Sequence, residues 1–160
     1  MVSKRICRLD QRGWTLAELL VVIAVTAILA AISIPLFATY LQSSTVKAGA
    51  QEMRTALNWA KQLAIRLRQP ICVQPVGNGY QFLQNTCAGL PVPPATAPGA
   101  DGGGTFRLQN NVAVTVSPGN VAPVFTPLGA AAPGGQLRVT GPSGNFLTVT
   151  VTPAGQITTP

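Results

Sequence analysis

The first half of the chain is dominated by one long apolar pattern. Residues 19–46 form a run of 28 positions without a charged side chain, strongly apolar as far as Ala38. Apolar residues then recur at spacings of 4, 3, 4, 3, 4 and 3 positions, which is typical of one face of an amphipathic helix. The members of this stripe are Val46, Ala50, Met53, Leu57, Ala60, Ala64 and Leu67. The stripe predicts a helix that packs on the protein's own sheet, and contact with the helices of other subunits is the alternative. The helix is predicted to end at Gln69, because Pro70 disfavours helix in the residue before it.

After Pro70 the pattern changes to short segments rich in β-branched and aromatic residues. Strands are predicted at residues 71–74, 80–83, 105–108, 112–116, 123–126, 136–140 and 145–152. Gly77-Asn78-Gly79 is a hairpin turn signal between the first two. The low-complexity stretch 91–104 is expected to be a mobile loop. The predicted fold class is α+β, with a long N-terminal helix packed on a β-rich head.

The composition excludes most catalytic chemistry. The 160 residues include 11 Lys and Arg, 4 Asp and Glu and no His, which gives a formal charge of +7. His is the usual general base and the commonest metal ligand. Without it, and without a pair of carboxylates in the head, the hydroxyls of Ser43, Ser44, Ser117 and Ser143 have no base to activate them. We therefore expect no enzymatic activity, no cofactor and no metal site.

The apolar run is long enough to span a membrane, which takes about 20 residues of helix. Basic residues precede it at positions 4, 5, 8 and 12, so the positive-inside rule predicts that the C-terminal part is translocated. A cleaved signal peptide fits poorly, because its apolar region is only about 7–15 residues long. A simple membrane anchor remains an alternative. A helix over residues 14–69 would be roughly 84 Å long at about 1.5 Å per residue, so its first half must be covered by lipid or by other subunits.

Glu18 does not suit a simple membrane anchor. It lies at the start of the apolar run, where an ionised carboxylate costs a few kcal/mol unless it finds a partner. The free N-terminus of a neighbouring copy would be such a partner if the chain were cut just before Trp14. Gly13 stands immediately before that bond.

The residues around Glu18 resemble the processing motif of type IV prepilins and type II secretion prepilins, Gly-Phe-Thr-Leu-Ile-Glu-Leu-Leu. Residues 13–20 match it except that Trp14 replaces Phe and Ala17 replaces Ile. The resemblance implies that a prepilin peptidase cuts between Gly13 and Trp14 and that the new N-terminus, on Trp14, is methylated. Pro35 stands where the family has its helix-kinking proline.

The same resemblance implies a location and partners. Such subunits wait in the bacterial inner membrane as single-pass proteins with the head in the periplasm. An inner-membrane assembly platform then moves them into a filament of pilins or pseudopilins, where Glu18 would pair with the N-terminus of an adjacent subunit. The implied segments are a leader (1–13), a transmembrane and assembly helix (14–40), its amphipathic continuation (41–69) and the head (70–160).

Three cysteines are present, and Cys7 belongs to the implied leader. Cys72 and Cys87 remain, 15 positions apart in the translocated part. An oxidising compartment favours a disulfide between them, and two free structural thiols are the alternative. A metal site is not expected, because two cysteines without His or a nearby carboxylate cannot complete a tetrahedron.

The head resembles the minor-pilin and pseudopilin-H group in residues 59–73, 124–129 and 149–157. This likeness implies a low-copy structural subunit near the filament tip that primes assembly of a type IV pilus or a type II secretion pseudopilus. The alternative function is DNA capture, which some relatives perform through a Gly-Arg-x-Arg turn. Here that stretch keeps Gly155 and lacks both arginines. Nucleic acid is therefore not expected as a partner, since phosphate binding needs clustered positive charge.

Overall fold

The computed structural model describes residues 15–93, 99–109 and 111–159. In chain order, helix α1 (Leu16–Leu67) is followed by strands β1 (Ile71–Val76), β2 (Gly79–Gln84), β3 (Thr105–Arg107), β4 (Ala113–Val116), β5 (Val124–Phe125), β6 (Gly135–Thr140), β7 (Phe146–Val151) and β8 (Ile157–Thr158). The chain divides into two compact units, Met1–Thr39 and Tyr40–Pro160. We call the second unit the head unit; it includes α1 from residue 40 onward.

In the first unit, the described residues form a helix whose side chains are all exposed from residue 15 to residue 39. The helix begins after Thr15, whose hydroxyl oxygen accepts a hydrogen bond of 3.2 Å from the backbone N–H of Glu18, as an N-cap residue does. The most apolar 18-residue window of α1 has a mean hydropathy of 2.8 and none of it is buried, so length and composition allow this helix to cross a membrane. Pro35 lies inside the helix, which continues through it.

In the head unit, α1 ends at Leu67, two residues before the predicted end at Gln69. The reason is that Arg68 adopts a left-handed backbone conformation, with φ of 54°, and this conformation commonly stops a helix. Pro70 follows and prevents the helix from resuming.

The strands form two antiparallel four-stranded sheets. One sheet has the order β3-β2-β1-β5 and the other has the order β4-β6-β7-β8. Gly77 and Asn78 make the turn between β1 and β2, where Val76 pairs with Gly79, as the turn signal predicted. All seven predicted strands are present as β1–β7 within a few residues of the expected bounds, whereas β8 was not predicted. The α+β architecture, a long helix packed on a β-rich head, is confirmed.

The main core lies where α1 meets the two sheets. The helix contributes the predicted stripe except Leu67, which is half-buried, and adds a second row made of Gly49, Ala56 and Leu63. A Cβ atom added at Gly49 would lie 2.9 Å from Cγ2 of Val112 and 3.2 Å from Cγ1 of Val139. The missing side chain at Gly49 therefore lets the helix backbone approach Val112 and Val139 closely. The sheets contribute Ile71, Val73, Phe82, Phe125, Leu137, Val139 and Val149, all at most 1% exposed.

An aromatic cluster closes one side of this core. Trp59 of α1 makes edge-to-face contacts with Phe82 and Phe106, with ring centroids 5.4 Å and 5.2 Å away. Tyr80 stacks on Phe106 with a centroid distance of 5.3 Å. Edge-to-face and offset stacking are the favoured aromatic arrangements, so the cluster fixes α1 against β2 and β3.

The segment predicted as a mobile loop, 91–104, is attached to the sheet at its start. Val92 is 2% exposed, and its backbone N–H donates to the carbonyl of Phe82 over 2.8 Å. At the other end, Asp101 accepts hydrogen bonds from the N–H groups of Gly103 and Thr105. Residues 94–98 of this segment lie outside the described residues.

Candidate functional site

The N-terminal site predicted from the sequence is described only in part. Gly13 and Trp14 lie outside the described residues, so their predicted cleavage and methylation stay predictions. Glu18 lies in the first turn of α1 and is exposed. Its backbone N–H donates to the hydroxyl of Thr15, but its carboxylate makes no hydrogen bond or ion pair within the described ranges 15–93, 99–109 and 111–159. A negative charge in the first turn suits the helix dipole. Pairing of Glu18 with another subunit and a kink at Pro35 likewise stay predictions.

The second predicted site is the pair Cys72 and Cys87. Their sulfurs form a disulfide, with the two Cα atoms 5.1 Å apart. Ile71 and Val73 face the main core, so Cys72 between them points to the other side of β1, as alternation along a strand requires. There it joins a small buried cluster with Leu83 and Ala122. The disulfide ties the loop after β2 back to β1 in the middle of this cluster.

Three of the four serines considered as possible nucleophiles have hydroxyls engaged in local hydrogen bonds. The hydroxyls of Ser43 and Ser44 donate to the helix carbonyls of Tyr40 and Leu41, and that of Ser143 donates to Asn145 Oδ1. In the part of the chain that the structure describes, no group of three or more His, Cys, Asp or Glu could hold a metal ion.

A shallow groove lies along α1 beside the aromatic cluster. Its volume is about 440 Å³, and its lining includes Glu52, Asn58, Trp59, Gln62 and Tyr80. Burial raises the pKa of Tyr80 to about 12, and the nearby carboxylate of Glu52 adds to this rise. Glu52 also accepts a hydrogen bond of 3.3 Å from the backbone N–H of Gln109. No local pattern predicts this arrangement, because Glu52 is separated from both Tyr80 and Gln109 along the chain.

The turn at Gly155, which corresponds to the DNA-capturing turn of some relatives, carries no arginine. The carbonyl oxygen of Gly155 in this turn accepts a hydrogen bond of 3.1 Å from Nζ of Lys61. The two arginines after residue 70 lie on different sheets. Arg107 is on β3, 3.9 Å from Asp101, and Arg138 is on β6, with its guanidinium 3.5 Å above the ring of Phe146. The described strands therefore hold no cluster of positive charge.

Two protein-family models match this chain. The model of the type II transport protein GspH matches residues 49–155, which covers the second half of α1 and nearly all of the strands. The chain belongs to the GspH family. The model of the prokaryotic N-terminal methylation motif matches residues 8–34, which include Gly13, Trp14 and Glu18. No curated protein matches this GspH family member.

Solved structures share the fold of this GspH family member. The minor pseudopilin EpsH from the type 2 secretion system of Vibrio cholerae is 18% identical, with a TM-score of 0.52 over 72% of this chain and 95% of that one. The type IV minor pilin FimU of Pseudomonas aeruginosa is 16% identical, with a TM-score of 0.51 over 71% of this chain and 91% of that one. Family and fold together make the chain a structural subunit of the minor pilin or pseudopilin type. Nothing in these comparisons supports DNA capture.

Proposed function

We propose that this chain is made as a prepilin and processed at its leader. A prepilin peptidase cuts between Gly13 and Trp14, and the amine of Trp14 is then methylated. The match of residues 8–34 to the methylation motif supports this, as do the basic residues before the apolar run. The mature chain is held in the bacterial inner membrane by its first helical unit, with the head in the periplasm.

Assembly then brings Glu18 beside the N-terminus of a neighbouring subunit. The observation that carries this step is an exposed carboxylate at the start of a helix whose described side chains are all exposed through residue 39. An apolar surface of this length needs lipid or protein around it, and a carboxylate in such surroundings is costly without a partner. A methylated amine at Trp14 of the next subunit supplies the opposite charge.

The subunit acts near the filament tip, in few copies, and primes assembly of either a type IV pilus or a type II secretion pseudopilus. It is handed to the filament by an inner-membrane assembly platform. Membership of the GspH family supports a role in type II transport. Its work is structural: it supplies a helix for the filament interior and a head with few charges for contact with other subunits.

The test uses substitutions in the full chain in the cells that make it. Gly13→Ala should leave the 13-residue leader attached, which mass spectrometry of the membrane fraction detects. Glu18→Ala should be cut normally but be missing from the filament fraction. Glu52→Gln, which removes a carboxylate of the head unit, is the matched control and should be incorporated. Equal incorporation of the Glu18→Ala chain and the wild type would contradict the pairing step.

A further inference from the structure

The two cysteines of the disulfide differ in how well they are covered. Cys72 lies on β1 and is 0% exposed. It stands opposite Leu83 of β2 on one side and Val124 of β5 on the other. Cys87 lies in the loop after β2 and is only half-buried. One half of the disulfide is therefore shielded inside the sheet, whereas the other half belongs to a residue that reaches the surface.

A groove opens at the half-buried end of the disulfide. We call it the disulfide groove; its volume is about 460 Å³, and Cys87 lines it whereas Cys72 does not. The other described residues that line it are Gln74, Val116, Asn120, Val121, Ala122, Val124 and Pro133. None of these side chains is charged, and Val121 is 53% exposed. The disulfide groove thus offers a path to Cys87 for an uncharged molecule with apolar surface.

The loop that carries Cys87 is held by backbone hydrogen bonds as well as by the disulfide. Its two ends are joined where the N–H of Gln84 donates to the carbonyl of Leu90 over 2.9 Å. The N–H of Asn85 donates to the carbonyl of Pro70 over 2.8 Å, which attaches the loop to the start of β1. Because these bonds do not involve the sulfurs, Cys87 should stay beside β1 when the disulfide is broken.

We propose that Cys87 is the exchanging half of this disulfide on the folded head unit, and that its reaction partners are thiols and disulfides with uncharged, apolar flanks that enter through the disulfide groove. An external thiolate attacks Sγ of Cys87, and a bond forms between these two sulfurs. The bond between Cys87 and Cys72 breaks, and the sulfur of Cys72 leaves with the electron pair and takes a proton from water. This exchange needs no filament, so it is independent of the function proposed above.

The same order of sulfurs closes the disulfide from the dithiol form. The thiolate of Cys87 attacks an external disulfide, such as that of a dithiol oxidoreductase with apolar residues beside its reactive cysteine, and expels one of its two sulfurs. The thiolate of Cys72 then attacks Sγ of Cys87 and expels the other. The external disulfide is the oxidant and is reduced to two thiols. Because the rate of exchange depends on which sulfur can be reached, burial reserves Cys72 for the internal step.

The first experiment uses the wild-type full chain, folded in detergent. It is treated with 2-mercaptoethanol, a small neutral thiol, and free thiols are then blocked with N-ethylmaleimide. Peptide mass spectrometry should find the mercaptoethanol on Cys87 and the maleimide on Cys72, in about tenfold excess over the reverse arrangement. An equal division, an excess of mercaptoethanol on Cys72, or adducts that form only after urea is added would overturn the proposal.

The second experiment measures each thiol alone in a Cys7→Ser chain. Cys72→Ala leaves the thiol of Cys87, and Cys87→Ala leaves that of Cys72. With 4,4′-dithiodipyridine, a neutral aromatic disulfide, Cys87 should react in the folded chain within about tenfold of its rate in urea, and Cys72 at least about a hundredfold more slowly than in urea. Comparing each rate with that in urea cancels the reactivity of the reagent itself. Equal protection of the two thiols would contradict the proposal.

A substitution at Val121 tests the disulfide groove. In the chain that keeps only Cys87, Val121→Gln removes apolar surface from the groove and should slow the reaction with 4,4′-dithiodipyridine about threefold. The matched control is Leu128→Gln, because Leu128 is 94% exposed in a different loop, and its rate should stay unchanged. If the two variants reacted at the same rate, entry of the reagent through the groove would be refuted.

Discussion

Leu57→Ala should strongly destabilise the head unit. Leu57 lies in the middle of the buried face of α1 and is 0% exposed. The substitution removes three buried carbon atoms, which loses about 2.4 kcal/mol at about 0.8 kcal/mol per buried methylene. The cavity left between helix and sheets adds to this, so the total loss should be about 2–5 kcal/mol. Ala is as good a helix former as Leu, so the loss measures packing alone.

The assay is urea unfolding of the full chain in detergent, followed by the fluorescence of Trp59. A Trp14→Phe background removes the other tryptophan of the sequence. Asn58→Ala, one position away and exposed, is the control and should change the free energy of unfolding by less than about 0.5 kcal/mol. If Leu57→Ala were no more destabilising than Asn58→Ala, the assignment of this helix face to the core would be refuted.

Two further predictions concern the disulfide and Tyr80. Replacing Cys72 and Cys87 by Ser should lower the free energy of unfolding by about 3 kcal/mol, the loop-closure value for the 15-residue separation. Labelling of both thiols in the unreduced native wild-type protein would contradict the disulfide itself. In a Tyr40→Phe chain, the phenolate absorbance of Tyr80 should titrate with a pKa of about 12 instead of 10.0, because burial and then Glu52 oppose the charged form. Because the folded state holds this proton more tightly, the stability that it contributes is complete below pH 10.0 and should be lost as the pH rises towards about 12. Glu52→Gln should lower that pKa, and a midpoint at the ordinary value would refute the burial of Tyr80.

The helix was largely predictable, and the misses have physical reasons. The stripe at spacings of 4 and 3 identified one row of core positions. In the second row, Gly49 and Ala56 were missed because glycine and alanine carry too little apolar surface to stand out as core residues. Leu63 was missed because the single stripe at spacings of 4 and 3 does not pass through it. The end of the helix was placed two residues late, because the left-handed conformation of Arg68 is rare for a residue with a side chain. Lys61 lies off the apolar stripe, and its bond to the carbonyl of Gly155, 94 positions away, could not be predicted because it joins two distant parts of the sequence.

The strands were predictable where β-branched and aromatic residues make a run, and the sheets were not. β8 has only two residues, too few for alternation to be recognised. The division into sheets of order β3-β2-β1-β5 and β4-β6-β7-β8 depends on long-range pairing, which no local pattern encodes. Val92 was assigned to a loop because prolines surround it, yet its hydrogen bond to Phe82 attaches it to β2. The disulfide was predictable because a single pairing remained once the leader was set aside.

The row of small residues on α1 has a mechanical consequence for the head unit. At Gly49 a single added carbon would lie 2.9 Å from a methyl carbon of Val112, so rotating or sliding this part of the helix would have to displace valine side chains packed against it. A load applied along the helix at residue 40 is consequently passed on to both sheets without slip. Within the head unit, helix and sheets would therefore move together under such a load.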